Sequence, residues 1–179
     1  MHEHLNAHNI TSTPLYACEA PLLSNDKRIT SLDLVGLSLS NIHLSIINDK
    51  NKSVYKTDGD LMITHHGLSG PAALKSSEHV HKLLLKESSA IARVSFLNNM
   101  NQAQFEQHLK TNQNETLQKL LNQSLPKRFV NHIIQLLNLH SHTTVTQISN
   151  HNLEQLYTLL FRYDIRLNAV ESIKKACVT

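Results

Sequence analysis

The chain has 179 residues, 40% of them hydrophobic and 17% charged, which excludes global disorder and allows one ordinary core or two small ones. Its net charge of +3 at pH 7 is not gathered into a stripe, since residues 1–97 carry 9 basic and 9 acidic side chains and residues 98–179 carry 8 and 5. Nucleic-acid binding is therefore not expected.

Residues 1–30 read as irregular to extended, because Thr11-Ser12-Thr13-Pro14 and Ala20-Pro21 block a long helix. From Leu39 onward, Ser40, His43 and Ser45 interleave with Ile42, Leu44 and Ile46, close to the two-residue period of a half-buried strand. Asp49-Lys50-Asn51-Lys52 makes a polar turn, and Ser53-Val54-Tyr55-Lys56-Thr57 is a second strand, completing a hairpin. Leu61-Met62-Ile63 is a further, buried strand.

Three of the four glycines lie between Gly59 and Leu74, in a stretch that reads as strand, glycine loop and helix start. Pro71 suits the first helical position and Ser69 a cap ahead of it. Such a loop offers backbone N–H groups and a helix dipole to a phosphate, a carboxylate or a polar ring edge. The alternative is a tight turn whose glycines let strand and helix pack closely. The stretch is neither a Walker loop nor a dinucleotide fingerprint.

Ala90–Leu97 alternates again and should return to the sheet. Several short strands separated by turns argue for a small barrel or sandwich that ends near residue 97. Asn98-Asn99-Met100-Asn101 is a linker rich in capping residues. Beyond it, Phe105, Leu109, Leu117, Leu120 and Leu121 recur at helical spacing. Leu125-Pro126 opens a helix with Phe129, Val130, Ile133, Ile134, Leu136 and Leu137 on its apolar face. Ser149 caps a third, with Leu153, Leu156, Tyr157 and Leu160 inward. Phe161–Leu167 returns to strand period, with Arg162 and Arg166 on one face as solvated arginines rather than an anion clamp.

The fold class is thus α+β, a small antiparallel β-barrel subdomain plus an α-helical bundle. Residues 1–97, with 161–179 returning, form the first part and residues 98–160 the second. No uninterrupted apolar run reaches the roughly 20 residues that span a bilayer, so no membrane partner is expected. Cys18 and Cys177 show no Cys-x-x-Cys spacing and no secretory signal precedes them, which fits free thiols in a cytoplasmic protein. The thirteen histidines include the pairs His4 and His8, His65 and His66, His79 and His81, and His140 and His142. None has an acidic or cysteine partner at a ligand spacing, so no metal is expected.

Gly59-Asp60-Leu61-Met62-Ile63-Thr64-His65-His66-Gly67-Leu68-Ser69-Gly70-Pro71-Ala72-Ala73-Leu74 resembles a signature of the HI0933-like flavoprotein family of bacterial FAD-dependent oxidoreductases. Gly36–Ile42 and Glu171–Thr179 are similar to further family segments, and the resemblance runs from about residue 8, with Ala7 where the family carries glycine. It corresponds to the middle of the family protein, an insert of barrel and helices between two parts of a Rossmann-like FAD domain. The resemblance implies FAD in the intact protein and none held by this chain alone, which would then be inactive in isolation. It implies two partners, the flanking FAD-binding domain and a small-molecule substrate. The loop facing substrate or flavin would be Thr64, His65, Gly67, Leu68, Ser69, Gly70 and Pro71, with His65 the candidate catalytic residue as a proton donor. The other class of function is a non-catalytic module binding nucleic acid or protein.

Overall fold

The computed structural model describes residues 16–30 and 34–172. The extended reading of residues 1–15, the thiol of Cys177 and the return of residues 173–179 to the sheet lie outside the described residues.

Strand β1 (Leu22–Leu23) precedes a single helical turn, α1 (Lys27–Thr30). The long hairpin β2 (Ser38–Ile47) and β3 (Ser53–Thr64) follows, then the short β4 (Gly67–Ser69) and helix α2 (Pro71–Leu84). Strand β5 (Ala90–Ser95) leads into helices α3 (Gln102–Thr111), α4 (Leu117–Leu121) and α5 (Lys127–Leu136), a 3-10 turn at Val145–Gln147, and α6 (Asn150–Phe161). Strands β6 (Tyr163–Leu167) and β7 (Ala169–Val170) complete the described chain. No helix among the described residues is long and apolar enough to cross a membrane.

All the strands belong to one antiparallel sheet in the order β6-β5-β2-β3-β4-β1-β7. The two ends of that order are consecutive in sequence, separated only by Asn168, whose N–H donates to the Leu23 carbonyl at 3.0 Å. One stretch of chain, Tyr163–Val170, therefore pairs with β5 through its first half and with β1 through its second. The ladder ends on the chain segment at which it began, which curls the sheet into a ring that closes through the chain at Asn168.

Two features bend β2 and β3 into that ring. Between Leu39 and Ile42 strand β2 carries one residue more than its partner, a β-bulge with Asn41 in the left-handed region at φ 52°. The Asn41 N–H left over by the bulge donates to Asp60 Oδ1 at 2.9 Å, so it is not orphaned. Opposite the bulge, Gly59 pairs with Ile42 and continues the strand. The separate strands expected at 53–57 and 61–63 are thus one strand of 12 residues, because Thr57, Asp58 and Gly59 keep the ladder with β2 although no large apolar side chain marks them.

Period two sorts the side chains. Ile42, Leu44, Ile46, Leu61, Ile63, Ala92, Val94, Ile165 and Leu167 turn inward and are buried. Helix α2 lays Ala72, Ala73, Ser76, Ser77 and Val80 against the sheet, and small residues at these positions permit a close approach. The two serines satisfy their hydroxyls on the carbonyls of Ala72 and Leu74, and Ser77 Oγ also accepts from Ala20 N.

The helical segment differs from the sequence expectation in two respects. Phe105 to Leu121 is two helices, since Asn112 ends the first and Thr116 caps the second by accepting from Lys119 N. Asn101 and Ser149 cap α3 and α6 as their residue types suggest. Leu136, read as apolar face, is 37% exposed because it sits on the outer side of the last turn of α5.

Sheet and helices share a continuous core. Phe96 N–H donates to Leu160 O at 2.8 Å, and the Phe96 ring packs on Phe129 at 4.4 Å and on Tyr163 at 5.6 Å. Phe129 is 1% exposed, so its truncation leaves a cavity at the seam. Phe129→Ala should cost about 3–5 kcal/mol in urea unfolding, with the near-UV and far-UV signals lost in one transition. Separate transitions for helices and sheet would show that the shared core does not couple them.

Candidate functional site

The Thr64–Pro71 stretch resolves into parts with different roles. Strand β3 ends at Thr64, His65 and His66 form a two-residue turn, and Gly67–Ser69 run back as β4. Strand β4 is paired on both sides, with Thr64 opposite Gly67 and Met62 opposite Ser69 on β3, and with Leu23 opposite Gly67 on β1. The expected glycine loop with several free amides is therefore replaced by a central strand. The second barrier to that reading is packing, because Leu68 is 0% exposed and belongs to the core.

The glycines serve the backbone here. A Cβ on Gly67 would lie 2.2 Å from the Leu22 carbonyl oxygen, and its φ of 145° is one that other residues rarely adopt. Gly70, at φ 88°, is the residue that caps α2, with no side-chain hydrogen bond, so Ser69 is not the cap. Pro71 opens the helix as expected.

His65 and His66 are exposed at the turn and line a cleft of about 470 Å³. Ser24, Asn25, Lys27 and Asn168 complete much of its wall. Of the residues singled out from the sequence, His65 reaches this cleft, whereas Ser69, Gly70 and Pro71 lie toward the other end of β4. The sequence pattern does not reveal Asn25, Lys27 or Asn168, since only the pairing of β1 with β4 and β7 brings 25, 65 and 168 together. The His66 carbonyl accepts from Ser24 N at 2.9 Å and fixes the turn against that wall. Ser24 Oγ donates to the Arg166 carbonyl at 2.6 Å and accepts from Asp26 N, so it is structural.

Helix α1 is pinned beside the cleft by a charge-assisted fork. Asp26 Oδ1 accepts from Arg28 Nε at 3.0 Å, and Arg28 Nη2 also donates to the Asp164 carbonyl at 2.7 Å. The guanidinium lies over the Tyr163 ring, 5.2 Å from its centroid. Burial pushes the Tyr163 phenol up to about 12, so it stays neutral. The hydrogen bond from Arg28 holds the Asp26 carboxyl below its ordinary value, against the opposing effect of burial. No group of three or more metal-ligating side chains occurs among the described residues.

Two expectations follow. Gly67→Ala should destabilise the fold by about 2–4 kcal/mol, seen as a fall in Tm of roughly 5–15 °C, because the clash opens the β1–β4 pairing. Arg28→Gln should cost about 1 kcal/mol at pH 7, a modest figure because Arg28 is half exposed. A lowered carboxyl stabilises fully above its unfolded value near 3.8 and loses that contribution as pH falls through the lowered folded value. The gap between wild type and Arg28→Gln, measured by urea titration, should therefore close below about pH 4.

The family model described as HI0933-like protein barrel and H2TH domain matches residues 16–178. No curated protein matches the chain. With a curled antiparallel sheet, a helical segment inserted before its last strands and a match over nearly its whole length, the chain belongs to the HI0933-like family.

Proposed function

We propose that this domain covers the flavin and substrate of a bacterial FAD-dependent oxidoreductase of the HI0933-like family, in the cytoplasm, as partner of an FAD-binding domain of the same protein. The observation that carries the reading is the position of His65. The family-like signature turns at His65 and His66, and that turn forms part of the rim of a polar cleft large enough for a substrate fragment or a ring edge.

The described residues do not fit FAD as a complete site. Seating a dinucleotide pyrophosphate needs a parallel strand, a glycine turn and a helix N-terminus, whereas every strand pairing among the described residues is antiparallel. Strand β4 also occupies the space in which such a turn would present free amides. No redox step is assigned to this chain. Its own residues would contribute a wall that excludes water, a cation at Lys27, and an imidazole at His65 able to hold or deliver a proton.

FAD titrated by fluorescence should bind weakly or not at all to this chain, and tightly to the chain joined to an FAD-binding domain of the family. Tight binding to this chain alone would overturn the division of labour, and no binding to the joined protein would overturn the flavoprotein reading. In the joined protein, His65→Ala should slow turnover by about 10²-fold with FAD still bound, and Ser69→Ala should act mainly on stability because it lies in the ladder.

A further inference from the structure

A second constellation lies on the outer wall of the sheet, on the hairpin that β2 and β3 form. His43 and Ser45 are two residues apart on β2 and share a face, and Asp58 stands directly opposite His43 on β3. His43 Nδ1 lies 2.7 Å from Asp58 Oδ1, and its Nε2 lies 3.2 Å from Ser45 Oγ. The carboxylate can only accept, so Nδ1 carries the proton and Nε2 is left to accept from the serine hydroxyl. These are the contacts that activate a serine oxygen for nucleophilic attack: a base on the hydroxyl, and a carboxylate that sets the tautomer of the base.

The surroundings match that chemistry. Ser45 is 6% exposed and flanked by Lys56 on β3 and Arg93 on β5, each directly opposite it. Arg93 is held by Asp164 at 2.7 Å, whereas Lys56 has no ion-pair partner among the described residues. Lys56 is thus the cation available where negative charge would gather on an acyl oxygen. His43 lines a cleft of about 410 Å³ together with Ser95, Asn98, Asn99, Met100 and Phe161. Neutral carboxamides beside an aromatic ring and a thioether suit a small uncharged ester rather than an anion.

From this geometry we infer that Ser45 is an acyl-accepting nucleophile, with His43 its general base and Asp58 a positioning residue, acting on small neutral esters at the cleft beside His43. Ser45 Oγ forms a bond to the acyl carbon while its proton passes to His43 Nε2. The ester C–O bond breaks, and the departing alkoxide takes that proton. Water then gives a proton to the same nitrogen and bonds to the acyl carbon, the acyl C–Oγ bond breaks, Ser45 Oγ takes that proton back from Nε2, and the acid is released.

The test uses the whole 179-residue chain and a fluorophosphonate, which would form an Oγ–P bond with loss of fluoride, followed by peptide mass mapping. One adduct is expected, on Ser45, absent from Ser45→Ala and formed at least about 10²-fold more slowly in His43→Gln and His43→Asn. In the wild type the labelling rate should rise with pH through the deprotonation of one group, and Asp58→Asn should displace that profile, a change that altered packing alone does not produce. p-Nitrophenyl acetate should give a burst of about one p-nitrophenol per chain. Absence of an adduct on Ser45 in the folded wild-type protein overturns the assignment whatever the variants do. An adduct that forms at an unchanged rate in both His43 variants overturns it equally.

Discussion

The three residues of strand β4 carry the architecture. Gly67, Leu68 and Ser69 are paired to β3 on one side and, through Gly67 and Leu68, to β1 on the other. The backbone of β1 comes so close at Gly67 that no side chain can stand there. Strand β1 in turn pairs with β7, the continuation of β6, so the closure of the ring passes through this contact. A chain that could not approach Leu22 at position 67 would leave β1 held only by β7 and would open the wall of the His65 cleft.

Closure also explains where the helices sit. The chain leaves the ring after β5 at Ser95 and rejoins it at Tyr163 on the neighbouring β6, so the whole helical excursion begins and ends on adjacent strands. Phe96 stands at the exit and Tyr163 at the re-entry, and the Phe96 ring packs on both Tyr163 and Phe129 of α5 in one aromatic cluster. The hydrogen bond from Phe96 N to Leu160 O ties the two ends of the excursion together. The seam is therefore local in space although its two sides are more than sixty residues apart in sequence, and the buried cluster runs through it without a break.

The two chemically suggestive regions differ in how they are built. At the His65 turn the side chains are exposed, and the surrounding wall comes from chain segments near residues 25 and 168, which suits a surface completed by another domain. At His43 the groups are held to one another by direct hydrogen bonds within two paired strands, which suits chemistry internal to this domain. A barrel with a helical insertion specifies neither role, and each depends on its own side chains.

Strand period around Ile42 to Ile46, the helical stripes of Phe129 to Ile134 and Leu156 to Leu160, the caps Asn101 and Ser149, and Pro71 at the head of α2 were all legible in the sequence, because each depends on neighbours within a turn or two. The family signature around Thr64–Pro71 was legible for the same reason. Sequence alone did not separate a glycine loop from a strand at Gly67–Ser69, since three residues are too few to show a period and their pairing partners lie at Leu22 and Met62. Nor did it join Asn25 and Asn168 to His65, or Asp58 to His43 and Ser45. Those meetings follow from register across the sheet, which is set by the bulge at Asn41, the close approach at Gly67 and the closure at Asn168, and each of these is a property of the folded ring rather than of any segment.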